Sequence, residues 1–180
     1  MIPTEFKSYK KYTSIFFETG TYHGAGVINA INSGFFQIYS VELDDLLYKE
    51  NVDRFKLNSN VNIIHGDSSV VLYDSIKNIN ESIFFWLDGH YSGGETAQSS
   101  RLLEYEFPIL YELEQINRHN IKNHIILIDD LRLFPKDDDQ DKQYNYSIEI
   151  IKNKILEINT EYKFEYIDGY VPNDILYAYI

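Results

Sequence analysis

The sequence predicts an α/β fold: a doubly wound sheet of seven strands, of which five are parallel and the last two form an antiparallel hairpin. Two observations predict it. Runs of β-branched and aromatic residues alternate with amphipathic segments of helix length over most of the chain, as in successive βα units. The last two strand-like runs are joined by only six residues, 168–173, which is too short for a parallel crossover through a helix.

The strands are predicted from short β-branched and aromatic runs bounded by turn residues. The fourth run is almost wholly apolar, which is typical of a strand that is buried on both faces of a parallel sheet. In chain order, the predicted strands are 14–18, 36–43, 61–67, 82–90, 124–130, 162–167 and 174–180.

The helices are predicted from the amphipathic segments between these runs. Gly34 ends the first helix, and Pro108 should start, kink or divide the fourth. The charged, turn-prone segment 133–143 predicts a loop. In chain order, the predicted helices are 24–34, 44–57, 68–79, 97–118 and 144–158.

The composition predicts one compact domain over residues 1–180. Hydrophobic residues make up 44% of the chain and aromatic residues 16%, which is enough for a sizeable core. No apolar run approaches the roughly 20 residues of a membrane span, and the first residues lack the apolar region of a signal peptide. The lack of cysteine excludes disulfides and thiolate chemistry. We therefore expect a cytoplasmic protein without a membrane partner.

The net charge argues against nucleic acid as a partner. The chain has 28 acidic and 16 basic residues, a formal net charge of −12. A chain this acidic should repel a phosphate backbone. Its basic cluster, Lys7, Lys10 and Lys11, is explained by a solvated helix face.

Each of the five predicted parallel strands has a carboxylate at or close to its end. In sheets of this kind, ligands bind outside the carboxyl ends of the strands. The candidate site therefore contains Glu18, Glu42, Asp67, Asp88 and Asp129.

A glycine-rich turn, ETGTYHGAG (18–26), follows the first strand. Gly20 allows a tight turn, Gly24 allows the backbone to approach a ligand, and Gly26 allows the helix to pack on the sheet. The turn fits two patterns, TGxxxGxG of short-chain NAD(P) dehydrogenases and ExGxxxGxG of S-adenosylmethionine (SAM) methyltransferases. The charge of Glu18 would repel a pyrophosphate and suits the ammonium and sulfonium groups of SAM. A strand-to-helix turn without a ligand is the simpler alternative.

The next two strand ends indicate an adenosine ligand. Glu42 lies 24 residues after Glu18, where a carboxylate accepts hydrogen bonds from ribose hydroxyls in NAD and SAM enzymes alike. Asp67 could accept from an adenine amino group while the N–H of Ser68 or Ser69 donates to a ring nitrogen. Asp67 also suits the N-cap of the next helix, and the two roles are compatible.

The dehydrogenase hypothesis also requires a YxxxK catalytic pair. The chain contains one, Tyr73 and Lys77, but it precedes the fourth strand, whereas that family carries the pair well beyond it. An antiparallel hairpin is also foreign to an all-parallel dehydrogenase sheet. We therefore interpret Tyr73 and Lys77 as exposed positions on an amphipathic helix.

Five segments in register, ETGTYHGAGV, YSVELDD, IIHGDSS, FFWLDGHYSGG and IILIDDLRLF, resemble the motifs of class I SAM-dependent methyltransferases. The resemblance covers essentially the whole chain and implies a Rossmann-like fold with strand order 3-2-1-4-5-7-6. More narrowly, LDGHYSGG with IDD resembles small methyltransferases of glycan-biosynthesis clusters, distantly similar to macrocin O-methyltransferase. The implied SAM contacts are Glu18, Thr19, Gly20, Thr21, His23, Gly24, Gly26, Glu42, Leu43, Gly66, Asp67, Ser68, Ser69 and Asp88.

Two hypotheses explain how an acceptor hydroxyl would be activated. The resemblance implies a divalent ion such as Mg²⁺ held by Asp88, Asp129 and Asp130, with Asp88 and Asp129 as catalytic residues. His90 offers a metal-free general base, and Arg132 could simply neutralise the acids. We interpret 91–96 as a loop over the acceptor and the acidic 136–141 as a solvated loop.

The sequence thus predicts a SAM-dependent O-methyltransferase for a hydroxyl of a carbohydrate or small metabolite. The acceptor rests on the resemblance alone. About 13 residues precede the first strand, so the helices that usually cover the acceptor in this family are mostly missing. The alternative is a SAM-binding module whose acceptor site is completed by a partner chain or domain. A homo-oligomer, or a place in a larger glycan-synthesis assembly, is the accompanying expectation.

Overall fold

The computed structural model describes residues 5–90, 108–134 and 147–180. They form one seven-stranded sheet with the order β3-β2-β1-β4-β5-β7-β6. The first five strands are parallel, and β7 pairs antiparallel with both β5 and β6. The predicted fold class and strand order are confirmed. The strands are β1 Ile15–Thr19, β2 Gln37–Glu42, β3 Val61–His65, β4 Ile83–Leu87, β5 Ile125–Ile128, β6 Lys163–Ile167 and β7 Ile175–Tyr179.

Helices alternate with the parallel strands as predicted, and most elements are slightly shorter than predicted. Pro108 is the N-cap of the described part of the fourth helix, and the predicted residues 97–107 lie outside the described part of the chain. Short 3-10 turns at Phe6–Ser8 and Leu131–Leu133 had no sequence prediction. The helices are α1 Ala25–Asn32, α2 Asp45–Phe55, α3 Ser68–Ile76, α4 Ile109–Arg118 and α5 Ile148–Ile158.

Both faces of the sheet are covered, which explains why β1 and β4 are buried along their whole length. The apolar faces of α3, α4 and α5 pack on one side. On the other side, α1 is joined by Phe6, whose ring centroid lies 5.0–5.3 Å from those of Phe16, Phe84 and Trp86. Burying one such aromatic side chain contributes about 1.5–3 kcal/mol. Residues before β1 therefore take part in the core.

The register of the central strands aligns the residues that follow them. Thr19 is paired with both Val41 and Leu87, and Leu87 is paired with Ile128. The hydrogen bonding continues one residue further, because the N–H of Asp88 donates to the carbonyl of Thr19 and the N–H of Asp129 to that of Leu87, each at 3.2 Å. The glycine turn, Asp88 and Asp129 are thereby brought side by side at the carboxyl edge of the sheet.

A buried histidine pair lies at the opposite, amino edge. The N–H of Ile83 donates to His124 Nδ1 at 3.1 Å, so His124 carries its proton on Nε2 and donates to His119 Nδ1 at 3.2 Å. His119 Nε2 in turn donates to the carbonyl of Ile79 at 2.9 Å. This hydrogen-bonded chain is complete only when both rings are neutral, and burial lowers the pKa of His124 to about 3.

The helices in the described part of the chain do not include a candidate for a membrane span.

Candidate cofactor and acceptor site

The turn after β1 requires glycine at position 20. Gly20 has φ +83°, and a Cβ there would lie 2.5 Å from the carbonyl oxygen of Asp88. Any L side chain would meet both the strain of positive φ and a clash with backbone. The predicted tight turn is confirmed, and it packs directly against the end of β4.

Helix α2 holds the rest of this turn. The side-chain amide of Asn51 donates to the carbonyl of Tyr22, and the Arg54 guanidinium donates to that of His23, each at 2.5 Å. A Cβ on Gly24, which has φ +75°, would lie 2.7 Å from the ring of Phe55. Gly24 therefore makes room for α2, and the predicted approach of its backbone to a ligand stays a prediction.

Glu18 lies beneath the start of α1. It is 2% exposed and accepts a hydrogen bond of 2.5 Å from the hydroxyl of Ser40, which also shares one with Thr21. A Cβ on Gly26 would lie 1.6 Å from Glu18 Oε1, so the space left by Gly26 is filled by this carboxyl group. Burial, more than the charge of Glu42, raises the pKa of Glu18 to about 8.

Glu42 joins the glycine turn to α2. One of its oxygens accepts from the N–H of Tyr22 at 2.7 Å, and the other from the N–H of Asp44 at 2.8 Å. Burial nevertheless raises its pKa against these hydrogen bonds. Each oxygen can accept a second hydrogen bond, so the predicted ribose contact is compatible with this arrangement. The neighbouring Leu43 is exposed.

The β3–α3 turn confirms the N-cap interpretation of Asp67. Its carboxylate accepts from both the N–H and the hydroxyl of Ser69, at 2.9 and 2.6 Å. Gly66 precedes it with φ +151°, and a Cβ there would lie 2.8 Å from Val71. The hydroxyl of Ser68 points inward, away from Ser69, to a carboxyl group on α4.

That carboxyl group belongs to Glu112, which the sequence analysis missed. It is 1% exposed and accepts a hydrogen bond of 2.5 Å from the Ser68 hydroxyl. Burial raises its pKa to about 7, although the hydroxyls of Ser68 and Thr19 favour the charged form. Glu112 also lines a cavity of about 10 Å³ together with Gly89 and His90. The sequence around Glu112 did not indicate that this side chain is buried at the site, because an acid on an amphipathic helix is normally expected to face solvent.

His90 lies between two acids that follow β4 and β5. Its Nε2 is 3.0 Å from Asp130 Oδ2, and its Nδ1 is 3.7 Å from Asp88 Oδ1, beyond hydrogen-bond distance. The guanidinium group of Arg132 contacts both Asp130 and the buried Asp174. Arg132 thus neutralises acids, as the sequence suggested, while Asp174 from the β6–β7 loop was not foreseen.

The acids in this cluster differ in their preferred charge. Burial, together with the charges of Asp129, Asp130 and Glu18, raises the pKa of Asp88 well above its ordinary value. Burial and the charge of Asp130 raise the pKa of Asp129 to about 6. For Asp130, the effect of burial is outweighed by His90 and Arg132, which lower its pKa. Within the described residues, the cluster therefore combines one carboxylate that is paired with His90 and Arg132 and two for which burial outweighs any nearby positive charge.

The predicted metal ligands are divided between two groups. Asp88, His90 and Asp130 form one group, and Asp129, Asp130 and Asp174 form the other, each with candidate ligand atoms within 4.8 Å of one another. Asp130 belongs to both, and its two oxygens are already engaged by His90 and Arg132. The residues as arranged here do not fit a divalent ion, because the ion would have to displace one of these contacts.

Comparisons with solved structures identify the fold. An O-methyltransferase from Bacillus cereus in complex with S-adenosylhomocysteine (SAH) superposes with a TM-score of 0.63 at 14% identity, covering 100% of this chain and 82% of that one. An SAH-bound methyltransferase from Podospora anserina gives 0.59 at 12% identity, covering 97% and 74%. A putative caffeoyl-CoA O-methyltransferase from Staphylococcus aureus also gives 0.59 at 12%, covering 97% and 80%. This is the Rossmann-like fold of SAM-dependent methyltransferases.

The methyltransferase fold is recognised here by structure alone. No protein-family model matches the sequence, and no curated protein matches it.

The YxxxK pair lies away from the site residues: Tyr73 is on α3, and Lys77 is the C-cap of that helix. Arg118 packs over the Tyr73 ring, which is only partly exposed, and Lys77 pairs with Asp74. The predicted acceptor loop 91–96 and the acidic segment 136–141 lie outside the described residues.

Proposed function

We propose that this chain is a SAM-dependent O-methyltransferase that methylates a hydroxyl group of a carbohydrate or small metabolite. The observation that carries the proposal is the glycine turn packed against Asp88, at an edge where burial raises the pKa of Glu18, Asp88 and Asp129. Burial at this edge opposes the charged form of each of these carboxyl groups. A ligand with positive groups would favour the charged form, and the ammonium and sulfonium groups of SAM fit that requirement.

The residues around the turn suggest how SAM would lie. Glu42 would accept from the ribose, and the Asp67–Ser69 turn would contact the adenine. The methionine end would be surrounded by Thr19, Gly20, Thr21, His23 and Asp88. Glu18 would act from beneath α1 without direct contact, since its carboxyl is 2% exposed, and the positive charge of bound SAM would favour its ionised form. Bound SAM would supply a methyl group activated by the positive charge on sulfur.

His90 and Asp130 form the base that the geometry supports best. With Nε2–H donating to Asp130, the unprotonated Nδ1 is the atom that would take the proton of an acceptor hydroxyl. Asp130 fixes this tautomer and would stabilise the imidazolium that forms. Its lowered pKa keeps it ionised for that role, and Arg132 holds it in place.

Two alternatives follow from the same region. A Mg²⁺ ion bound by Asp88, Asp129 and Asp130 would replace His90 as the activator, if Asp130 exchanged its present contacts for the ion. The chain could instead be a SAM-binding module that acquires its acceptor site from a partner. The carbohydrate acceptor and a place in a glycan-synthesis assembly rest on the sequence resemblance, and a cytoplasmic location rests on the lack of cysteine; all three stay predictions.

Calorimetry with SAH and NADH tests the central proposal. We expect binding of SAH and none of NADH; the reverse would contradict the proposal.

Glu42→Ala should weaken SAH binding at least tenfold, because the ribose hydroxyls and the N–H of Tyr22 would both lose the carboxylate that accepts their hydrogen bonds. Glu50→Ala removes an exposed glutamate on α2, the helix that follows Glu42; it is the control and should bind SAH like the wild type.

Activity assays separate the remaining alternatives. His90→Ala should abolish methyl transfer to hydroxylated acceptors while SAH binding persists, and EDTA should have no effect. Loss of activity with EDTA and its recovery with Mg²⁺ would favour the metal hypothesis. Turnover of sugar acceptors by the isolated chain would exclude the need for a partner.

A further inference from the structure

Glu112 is a buried carboxyl group to which the proposed chemistry assigns no role. It lies in the first turn of α4, and Pro108 caps that helix. Burying a carboxyl group costs free energy unless hydrogen bonds compensate. Here the burial is strong enough to raise the pKa of Glu112 to about 7. A leucine at this position would suit the apolar face of α4, so the carboxyl group requires a specific explanation.

The groups around Glu112 come from three parts of the chain: it takes hydrogen bonds from Ser68 and Thr19, and Gly89 lies beside it. It accepts the Ser68 hydroxyl of the β3–α3 turn at 2.5 Å. Glu112 Oε1 and Thr19 Oγ1, at the end of β1, each lie 3.1 Å from the position of a Cβ on Gly89, after β4. The hydroxyl of Thr19 also accepts from the N–H of Asp88 at 3.3 Å. The carboxyl group is therefore where the ends of β1, β3 and β4 meet.

The neighbouring Gln115 shows what a purely structural contact from α4 looks like. It donates to the carbonyl of Ser68 at 3.0 Å and accepts from the N–H of Tyr73 at 2.8 Å. Both contacts go to α3 alone. Gln115 docks one helix on another, whereas Glu112 contacts the first residue of α3 and also lies beside Thr19 and Gly89, at the ends of β1 and β4.

We infer that Glu112 is a positioning residue of the cofactor site: it holds the Thr19, Ser68 and Gly89 loops in the arrangement that binds SAM. This inference rests on the proposed function. The three loops contribute the adenine end and the methionine end of the proposed site. Without Glu112 they would have to be ordered when the ligand binds, and that ordering costs affinity.

SAH affinity, measured by calorimetry on variants shown to be folded, tests this role. Glu112→Ala should bind SAH at least tenfold more weakly than the wild type. Glu112→Gln should bind within about threefold of it, because the amide oxygen still accepts from Ser68. Glu114→Ala is the matched control, since Glu114 is exposed on the same helix and pairs with Lys154 at 3.4 Å, away from the site; it should leave the affinity unchanged.

A double-mutant cycle with Ser68→Ala separates positioning from simple stabilisation. Ser68→Ala should weaken SAH binding, and adding it to Glu112→Ala should weaken binding little further. If Glu112→Ala does not fold, Ser68→Ala carries the test, and unchanged affinity there would overturn the inference. A lower melting temperature with wild-type affinity in both variants would also overturn it. Absence of SAH binding by the wild type would instead contradict the proposed function.

Discussion

The two edges of the sheet bury ionisable side chains in opposite ways. At the amino edge, His119 and His124 form a complete hydrogen-bonded chain as neutral rings. At the carboxyl edge, burial raises the pKa of Glu18, Glu112 and Asp129 to about 8, 7 and 6, so in the ligand-free chain desolvation opposes their charged forms near neutral pH. The amino edge is satisfied by the chain itself. The carboxyl edge keeps buried acids whose charged forms a cationic ligand would stabilise. Keeping such groups costs stability, which is expected at a functional site.

The largest expected effect comes from Gly20→Ala, with Gly34→Ala as its control. Both glycines have positive φ, but a Cβ would meet the Asp88 backbone at 2.5 Å in one case and nothing within 4 Å in the other. Gly34→Ala should lower the free energy of unfolding by about 1–2 kcal/mol, the cost of positive φ. Gly20→Ala should cost several kcal/mol in total, because overpacking adds to that cost, and should abolish SAH binding. Urea unfolding and calorimetry measure the two effects, and equal losses would mean that the turn does not depend on contact with β4.

Glu18→Gln should remove part of the pH dependence of the carboxyl edge. The pKa of Glu18 is about 8 in the folded chain against an ordinary 4.5, so the folded state binds more protons between these values. Stability contributed by this group is therefore lost as pH rises from 4.5 to 8, by at most about 1.4 kcal/mol per pH unit. Urea unfolding of the ligand-free chain from pH 5 to 8 should show a shallower fall for Glu18→Gln. Glu50→Gln, which removes an exposed carboxyl, should retain the wild-type slope.

His124→Asn tests the amino edge, where the sign is reversed. Because the pKa of His124 is about 3 in the folded chain against 6.5 ordinarily, the unfolded state binds more protons between these values. Stability is thus lost as pH falls from 6.5 to 3. The variant should cost about 1–3 kcal/mol at pH 7 by breaking the bond to His119. Between pH 4.5 and 3 its unfolding free energy should depend less on pH than that of the wild type; an unchanged slope would contradict the neutral pair.

Tyr12→Phe should have the smallest effect. The hydroxyl of Tyr12 donates to the carbonyl of Asn123 at 2.9 Å in an exposed position near the amino edge. Water can replace this bond, so the free energy of unfolding should change by no more than about 0.5 kcal/mol. SAH affinity should be unchanged. Weaker SAH binding by this variant would show that the two edges are coupled.

The fold could be predicted from the sequence because the signals for each element are local. The almost wholly apolar run at β4 predicted a buried central strand, and Asp67 was correctly placed at a helix N-cap. The predicted ends of the strands were less accurate, since the end of a strand depends on how far the adjacent strand continues to pair with it. Glu112 could not be predicted, because its partner Ser68 is 44 residues away and is reached only after α3 and α4 pack together.

The sequence by itself determined the alternation of strands and helices, the glycine turn and the acids at the strand ends, since these follow from residue type and spacing along the chain. Tertiary structure decided which of these groups meet. It placed Glu18 beneath Gly26, Asp130 between His90 and Arg132, and Glu112 against Ser68. Such pairings depend on the order of strands and on the packing of helices, and burial then sets the charge each acid prefers. The same carboxylate types therefore become an N-cap, an ion-pair partner or a group with a raised pKa only after the chain has folded.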